Sequence, residues 1–320
     1  MEYRKLGRTN LNVSEIGHGL WGMSDWSGAD DKESLETLQK SLETGCNFFD
    51  SAVAYGNGHS DQLLGQLIKN NPGRTIIAAS KIPPKNLKWP ATSEYPFKEV
   101  YPRQHILDYT QKILDSIGTD SIDLLQFHVW DDSWADEDEW KQTISDLKSK
   151  KLIRFFGLSL NRWEPQNGMK AIQTGAVDTV QVVYNVFDQA PEDKLFPLCR
   201  EMNVGVIARV PLDEGGLSGK LTADTQFPAN DFRARYFGSE NLHATVVRAD
   251  ALKELLPENM NLPEMALRFI LSDPDVSTTI VGMRNLNHLH ENLKTSDGKG
   301  LPKELIAKLR AHRWNRGIQN

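Results

Sequence analysis

Cysteine is nearly absent from this chain: Cys46 and Cys199 are the two among 320 residues. Two thiols, one opening an apolar run and one in an amphipathic segment, exclude a scaffold built on disulfides. Long apolar runs are missing as well. No segment approaches the roughly 20 apolar residues of a membrane helix, and the opening MEYRKLGRTNLNVSEIGHG has no leader-like apolar stretch, so no membrane association and a cytoplasmic location are expected. Nor is there an excess of positive charge. Against 43 Asp and Glu stand 37 Lys and Arg, a net charge of −6, which argues against the broad basic face that nucleic acid requires. The remainder, 39% hydrophobic and 25% charged residues, supplies a large core, and 1–320 is expected to form a single domain.

Apolar runs of strand length alternate with segments of helical period, the pattern of a parallel sheet wrapped in helices. Eight such runs are readable: VSEIGHGL, CNFFDS, TIIAASK, IDLLQFH, IRFFGLS, TVQVVYN, VGVIARV and STTIVGM. Between them lie helical segments such as DKESLETLQKSLE, SDQLLGQLIK and PRQHILDYTQKILDSI, with Ser60 and acidic Asp61 expected at the start of the second. The acidic run from Asp136 is expected to open another helix, where negative charge complements the dipole. Eight alternations fit an α/β fold of the (β/α)8 TIM-barrel type better than an open sheet. Long connections are expected after the third strand (Pro83 to Pro102) and the seventh (Asp213 to Glu240), and a C-terminal helix over about 302–316. The third-strand connection reads either as a self-packed surface loop or as a wall of the ligand pocket.

Three of the runs end in a group suited to proton chemistry: Asp50, Lys81 and His128. Tyr55 follows just past the first of them. In a parallel barrel the strand C-termini share one face, so these four residues are expected to meet there. A phenol with an ordinary pKa of about 10 needs its anion stabilised to work as an acid near neutrality. Lys81 beside it would do so, Asp50 would keep Lys81 protonated, and His128 would donate a hydrogen bond to a carbonyl oxygen or to the phenol. The set is a device for protonating an alkoxide formed when hydride adds to a carbonyl. A structural ion pair is the bland alternative.

Gly17, Gly19 and Gly22 match the G-x-G-x-x-G spacing of a dinucleotide fingerprint, but MSDWSGAD intervenes before the first helix, so the glycine turn does not open one directly. Close backbone packing or approach to a ligand explains these glycines better.

With these residues in view, the chain resembles the aldo-keto reductases, NADP(H)-dependent (β/α)8 oxidoreductases, from about Tyr3 to Asn292. The segments that carry the resemblance are YRKLGRTNLNVSEIGHGLWGM, FFDSAVAYGNGHSDQLLG, the SK at Lys81, IDLLQFH and PLDEGGLSGKL, in the manner of bacterial-type and potassium-channel β-subunit-like members. The resemblance implies Tyr55 as proton donor, Asp50 and Lys81 as its tuning pair, and His128 as the group orienting the carbonyl. It further implies cofactor contacts from Ser159 and Gln181 to the nicotinamide carboxamide, with Asp50 and Ser51 on the nicotinamide side. The Asn that usually follows the serine is Leu160 here, with Asn161 one place later as the candidate. Arg209 stands where an aromatic residue commonly stacks on the nicotinamide. Pro211, Leu212, Gly216, Leu217, Ser218, Gly219 and Lys220 resemble the loop over the pyrophosphate. From Gly282 onward, Arg284 resembles the residue for a 2′-phosphate, Glu291 and Asn292 those for the adenine, and His288 stands where Gln, Lys or Arg is frequent. NADP(H) is the implied cofactor, with NAD(H) as the alternative.

Trp21, Trp26 and Trp130 follow strand ends and are candidates for the substrate pocket. No metal is expected, because His288 and His290 are two apart and do not share a helix face. The expected reaction is oxidoreduction of a small carbonyl or sugar substrate. Two alternatives remain: a Schiff-base aldolase using Lys81, and a cofactor-sensing regulatory subunit without turnover. The oligomeric state is not legible.

Overall fold

The structure, a computed structural model, describes residues 1–24 and 30–316. A hairpin comes first, β1 (Tyr3–Lys5) pairing antiparallel with β2 (Asn12–Ser14). Eight parallel strands then close into a barrel in chain order, with β10 bonded to both β9 and β3. They are β3 (Ile16–Gly19), β4 (Phe48–Asp50), β5 (Ile77–Ile82), β6 (Ile122–Phe127), β7 (Ile153–Ser159), β8 (Thr179–Val183), β9 (Gly205–Arg209) and β10 (Val276–Gly282). Each of the eight runs read from the sequence supplies one of them. The helices outside the barrel are α1 (Asp31–Glu43), α2 (His59–Asn70), α3 (Phe97–Val100), α4 (Arg103–Ile117), α5 (Asp138–Ser149), α6 (Met169–Gln173), α7 (Leu195–Glu201), α8 (Phe232–Lys253), α9 (Leu262–Leu271), α10 (Leu286–Leu293) and α11 (Lys303–Arg310).

Strand side chains alternate between the two faces, and this alternation builds the barrel interior in layers. Phe48, Ile77, Ala79, Leu124 and Ile207 form an apolar floor together with Leu6, Leu11 and Val13 of the hairpin region. The hairpin seats closely: a Cβ on Gly7 would lie 2.3 Å from the Gly205 nitrogen, and its φ of +49° lies in the left-handed region that glycine adopts most readily. Two residues further along, Phe48 gives way to Asp50, Ala79 to Lys81, Leu124 to Gln126 and Thr179 to Gln181. The interior therefore changes from apolar to polar toward the strand C-termini. Gly157 leaves room in this upper layer, since a Cβ there would meet the Thr179 hydroxyl at 2.2 Å.

Several local expectations are corrected. Ser60 does not cap α2, whose N-cap is Gly58; the Ser60 hydroxyl donates to Leu20 O, and Asp61 turns inward to accept from Ser80 Oγ at 2.8 Å. Tertiary partners on the barrel outcompete the orphan amides of the helix end. The connection after β9 is irregular only as far as Asp231, whose carboxylate accepts from the Arg233 amide and starts α8. The C-terminal helix stops at Arg310, short of 316. Beyond it the Trp314 amide donates to Phe187 O at 2.8 Å, drawing the chain back over the barrel. α5 does begin at Asp138, with Glu139 also in its first turn. Both cysteines are buried free thiols.

Candidate active site

The polar layer centres on Asp50 and Lys81, both essentially inaccessible to solvent. Lys81 Nζ donates to Asp50 Oδ2 at 2.5 Å and to Ser51 O at 2.7 Å. The second carboxylate oxygen accepts from Gln181 Nε2 at 2.9 Å and Gln126 Nε2 at 3.3 Å. Asp50 is thus held by three donors from β5, β6 and β8. Tyr55 enters from the turn after β4, and its ring centroid lies 5.1 Å from Lys81 Nζ. His128, just past β6, meets the Tyr55 ring edge-on at 5.6 Å. The structure therefore brings together the four residues that the sequence grouped.

Their electrostatics set distinct roles. Burial lowers the pKa of Lys81, but the Asp50 carboxylate and Tyr55 outweigh it and hold the amine above its ordinary range. Burial pushes the Tyr55 phenol up, and the Lys81 ammonium is the strongest influence in the opposite direction. His128 is pushed well below its ordinary value by burial, then by the charges of Lys81 and Arg209. At neutral pH it is an uncharged imidazole, able to donate from one ring nitrogen, while Tyr55 keeps its proton.

Around this centre three buried polar atoms lack a protein partner among the described residues: Ser51 Oγ, His128 Nδ1 and Arg209 Nε. Such groups are costly unless something satisfies them. Ser159 ends β7 in register with Gln181, so the side of the mouth opposite Tyr55 also carries polar groups. Gln181, however, spends its amide nitrogen on Asp50. Asn161 points elsewhere: its side chain accepts from the Ala91 amide at 3.2 Å and donates to Ala91 O and Glu164 at 2.8 Å each. It pins the long third connection instead of facing the mouth. Arg209 ends β9 and donates to Leu160 O at 3.0 Å. Burial, with the nearby charge of Arg162, brings its guanidinium down to about 10.

The expected aromatic wall is redistributed. Trp130 is fully buried, packed edge-on against Trp134 and Trp140, so it belongs to the core and lines no opening. Its place is taken by Trp89 of the long third connection, 46% exposed and edge-on to His128 at 4.6 Å. Trp21 sits in the turn after β3, edge-on to Phe232 of α8 at 4.5 Å. Trp26 lies outside the described residues.

A second region, at the rim, is basic. The charges of Lys220 and Arg284 both reach His288, whose pKa is lowered by burial and then by these two neighbours. Arg284 lies across Gly22, where a Cβ would come within 2.9 Å of its Cγ. The third glycine of the apparent fingerprint thus makes room for an arginine and opens no helix. Gly216 and Ser218 form a tight turn with Leu212, in which the Leu217 amide donates to Leu212 O at 3.0 Å and Ser218 Oγ to Gly215 O at 2.5 Å. Pro211 is buried before the turn, and Gly219 follows it with φ +72°. Gly282 is open to solvent at the end of β10, Asn292 is buried, and Glu291 pairs with Lys294 at 2.8 Å. Two cations beside a turn with glycines, together with unpartnered polar atoms at the centre, fit a nicotinamide dinucleotide. Among the described residues no group of three or more His, Cys, Asp or Glu is arranged to hold a metal, and no helix is long and apolar enough to cross a membrane.

Comparison with known proteins agrees with this geometry. The model of the aldo/keto reductase family matches residues 15–313. The uncharacterized oxidoreductase YqkF of Bacillus subtilis is 27% identical over 98% of this chain and 96% of its own length. A probable voltage-gated potassium channel subunit beta of Arabidopsis thaliana is 28% identical, covering 93% of this chain and 92% of its own. In three dimensions the glycerol dehydrogenase AKR11B4 of Gluconobacter oxydans superposes with a TM-score of 0.80 at 23% identity, over 97% of this chain and 94% of the other. With a parallel eight-stranded barrel and a family match over nearly its whole length, the chain belongs to the aldo/keto reductase family.

Proposed function

We propose that the protein is a carbonyl reductase or alcohol dehydrogenase linked to NADP(H), acting on an aldehyde, ketone or sugar, with NAD(H) as the weaker cofactor. The single observation that carries this reading is the buried Asp50–Lys81 pair beneath Tyr55, next to a neutral His128. The bound cofactor supplies or accepts the hydride at the carbonyl carbon. Tyr55 gives its proton to the carbonyl oxygen as that oxygen gains negative charge, and the Lys81 ammonium stabilises the phenolate left behind. Asp50 keeps Lys81 cationic and immobile. His128, uncharged, donates to the same oxygen and fixes its direction. Arg284 and Lys220 provide the positive charge for phosphate, with Arg284 favouring a 2′-phosphate through its planar fork.

Lys81 is a poor Schiff-base nucleophile in this setting, because Asp50 holds it as an ammonium. The regulatory reading rests on the likeness to a plant channel subunit and uses the same groups. It would show as tight cofactor retention with negligible turnover and a stable protein partner. The deciding experiment follows NADPH oxidation across a panel of aldehydes, ketones and sugars, with Tyr55→Phe in parallel. Turnover that falls by about 10²- to 10⁴-fold in the variant, with NADPH still bound, supports the reductase. Turnover unchanged by the substitution refutes the role of Tyr55.

A further inference from the structure

Arg316 lies beyond the last helix, yet its side chain is only 4% exposed. It joins carboxylates from two neighbouring connections, those after β8 and β9. Its guanidinium donates to Asp213 Oδ1 at 2.7 Å and Oδ2 at 3.1 Å, and to both oxygens of Asp188. Trp314 at 4.6 Å and Trp163 at 5.5 Å flank it, excluding water from the contact. The Tyr236 hydroxyl of α8 donates to the same Asp213 Oδ1 at 2.5 Å.

The turn gripped in this way does not follow a course its residues favour. Asp213 and Glu214 have φ of +50° and +54°, in the left-handed region that residues with a Cβ avoid. Such conformations persist where surrounding contacts over-determine them. Here those contacts are Arg316 and Tyr236 on Asp213, and Arg162 on Glu214 at 3.2 Å. Gly216 is wedged against the clamp, since a Cβ there would lie 2.5 Å from Asp213 Oδ2. The same turn runs on to Ser218, Gly219 and Lys220.

We propose that Arg316 is a positioning residue for the dinucleotide cofactor: by clamping Asp213 it fixes the Asp213–Gly219 turn, so that the C-terminal segment governs how long the cofactor stays bound. This rests on the proposed function, in which Lys220, directly after that turn, supplies positive charge for the cofactor phosphates. Without Arg316, two buried carboxylates lose their shared cation and the left-handed pair loses its main restraint.

The test compares Arg316→Gln, Arg316→Lys and Arg313→Gln, the last removing a surface pair with Asp193 from the same segment. Amide hydrogen exchange over 213–219 is followed in the cofactor-free protein, and the NADPH off-rate by stopped-flow fluorescence. Arg316→Gln is expected to speed exchange at the Gly215 and Leu217 amides and the off-rate by at least tenfold. Arg316→Lys should recover part of both, and Arg313→Gln should match the parent. Unchanged exchange over 213–219, or a lower melting temperature with an unchanged off-rate, overturns the clamp. If Arg316→Gln does not fold, Asp188→Asn is read in its place, with the same overturning outcome. A parent protein that binds neither NADPH nor NADH overturns the proposed function, while the exchange comparison still decides the clamp.

Discussion

Lys81→Met, Asp50→Asn and the double variant separate the stability of the ion pair from its chemistry. At 2.5 Å the Coulomb attraction is about 7 kcal/mol with an effective dielectric constant near 20. Desolvating each ion costs several kcal/mol, which offsets most of that gain. The net worth of the pair is therefore small, whereas either single substitution strands a buried charge. Each single variant is expected to lose about 3–5 kcal/mol, and the double variant clearly less than their sum. Urea unfolding followed by tryptophan fluorescence measures this cycle. Turnover is expected to fall about 10²- to 10⁴-fold in Lys81→Met, because the phenolate of Tyr55 loses its nearest cation. NADPH affinity should move far less than turnover does, since the phosphates are assigned to the basic rim. Additive losses, or a Lys81→Met enzyme retaining a tenth of parental turnover, would refute the reasoning.

Asp61 offers a stability test outside the mouth. Burial raises its carboxyl to about 6 from 3.8, so the folded state holds its proton more firmly than the unfolded chain does. Stability is therefore lost as pH rises from about 4 to 6, by about 3 kcal/mol in total. Asp61→Asn should abolish that slope and raise the urea midpoint at pH 8 but not at pH 3.5. Arg209→Gln removes a partly buried positive charge from the mouth and should tighten NADP+ at least tenfold relative to NADPH, measured by titration calorimetry, since only the oxidised ring is cationic. Arg284→Gln should weaken NADPH by about 10- to 100-fold and leave NADH within about threefold, the loss of a charge-assisted contact to one phosphate. Equal losses for both cofactors would place Arg284 away from the 2′-phosphate.

The barrel and its polar centre were legible because strand periodicity carries both. Asp50, Lys81 and His128 each end an apolar run, and period two then dictates which side chains point inward. By the same rule Gln126, two residues before His128, could have been placed beside Asp50. Trp89 and Trp130 show where sequence runs out: both follow strands in connections toward the mouth, and only tertiary packing sends one to the opening and the other to the core. Ser60 and Asp61 fit a helix-start signature, but Ser80 on the neighbouring strand competes for the carboxylate. Asn161 matched a pattern by type while its partner, Ala91, lies 70 positions away. Arg316 had no local signal at all, since both its aspartates are more than 100 residues distant.

The hairpin floor has a kinetic consequence. With Leu6, Leu11 and Val13 packed into the lower end, the barrel is a well and not a tube, and ligands trade places at a single rim. A molecule seated on the Asp50–Lys81 layer is trapped by whatever settles above it. Binding and release are then a stack, last in and first out, so initial-rate patterns should follow a compulsory order, and an accumulating product should throttle the exchange of the ligand beneath it.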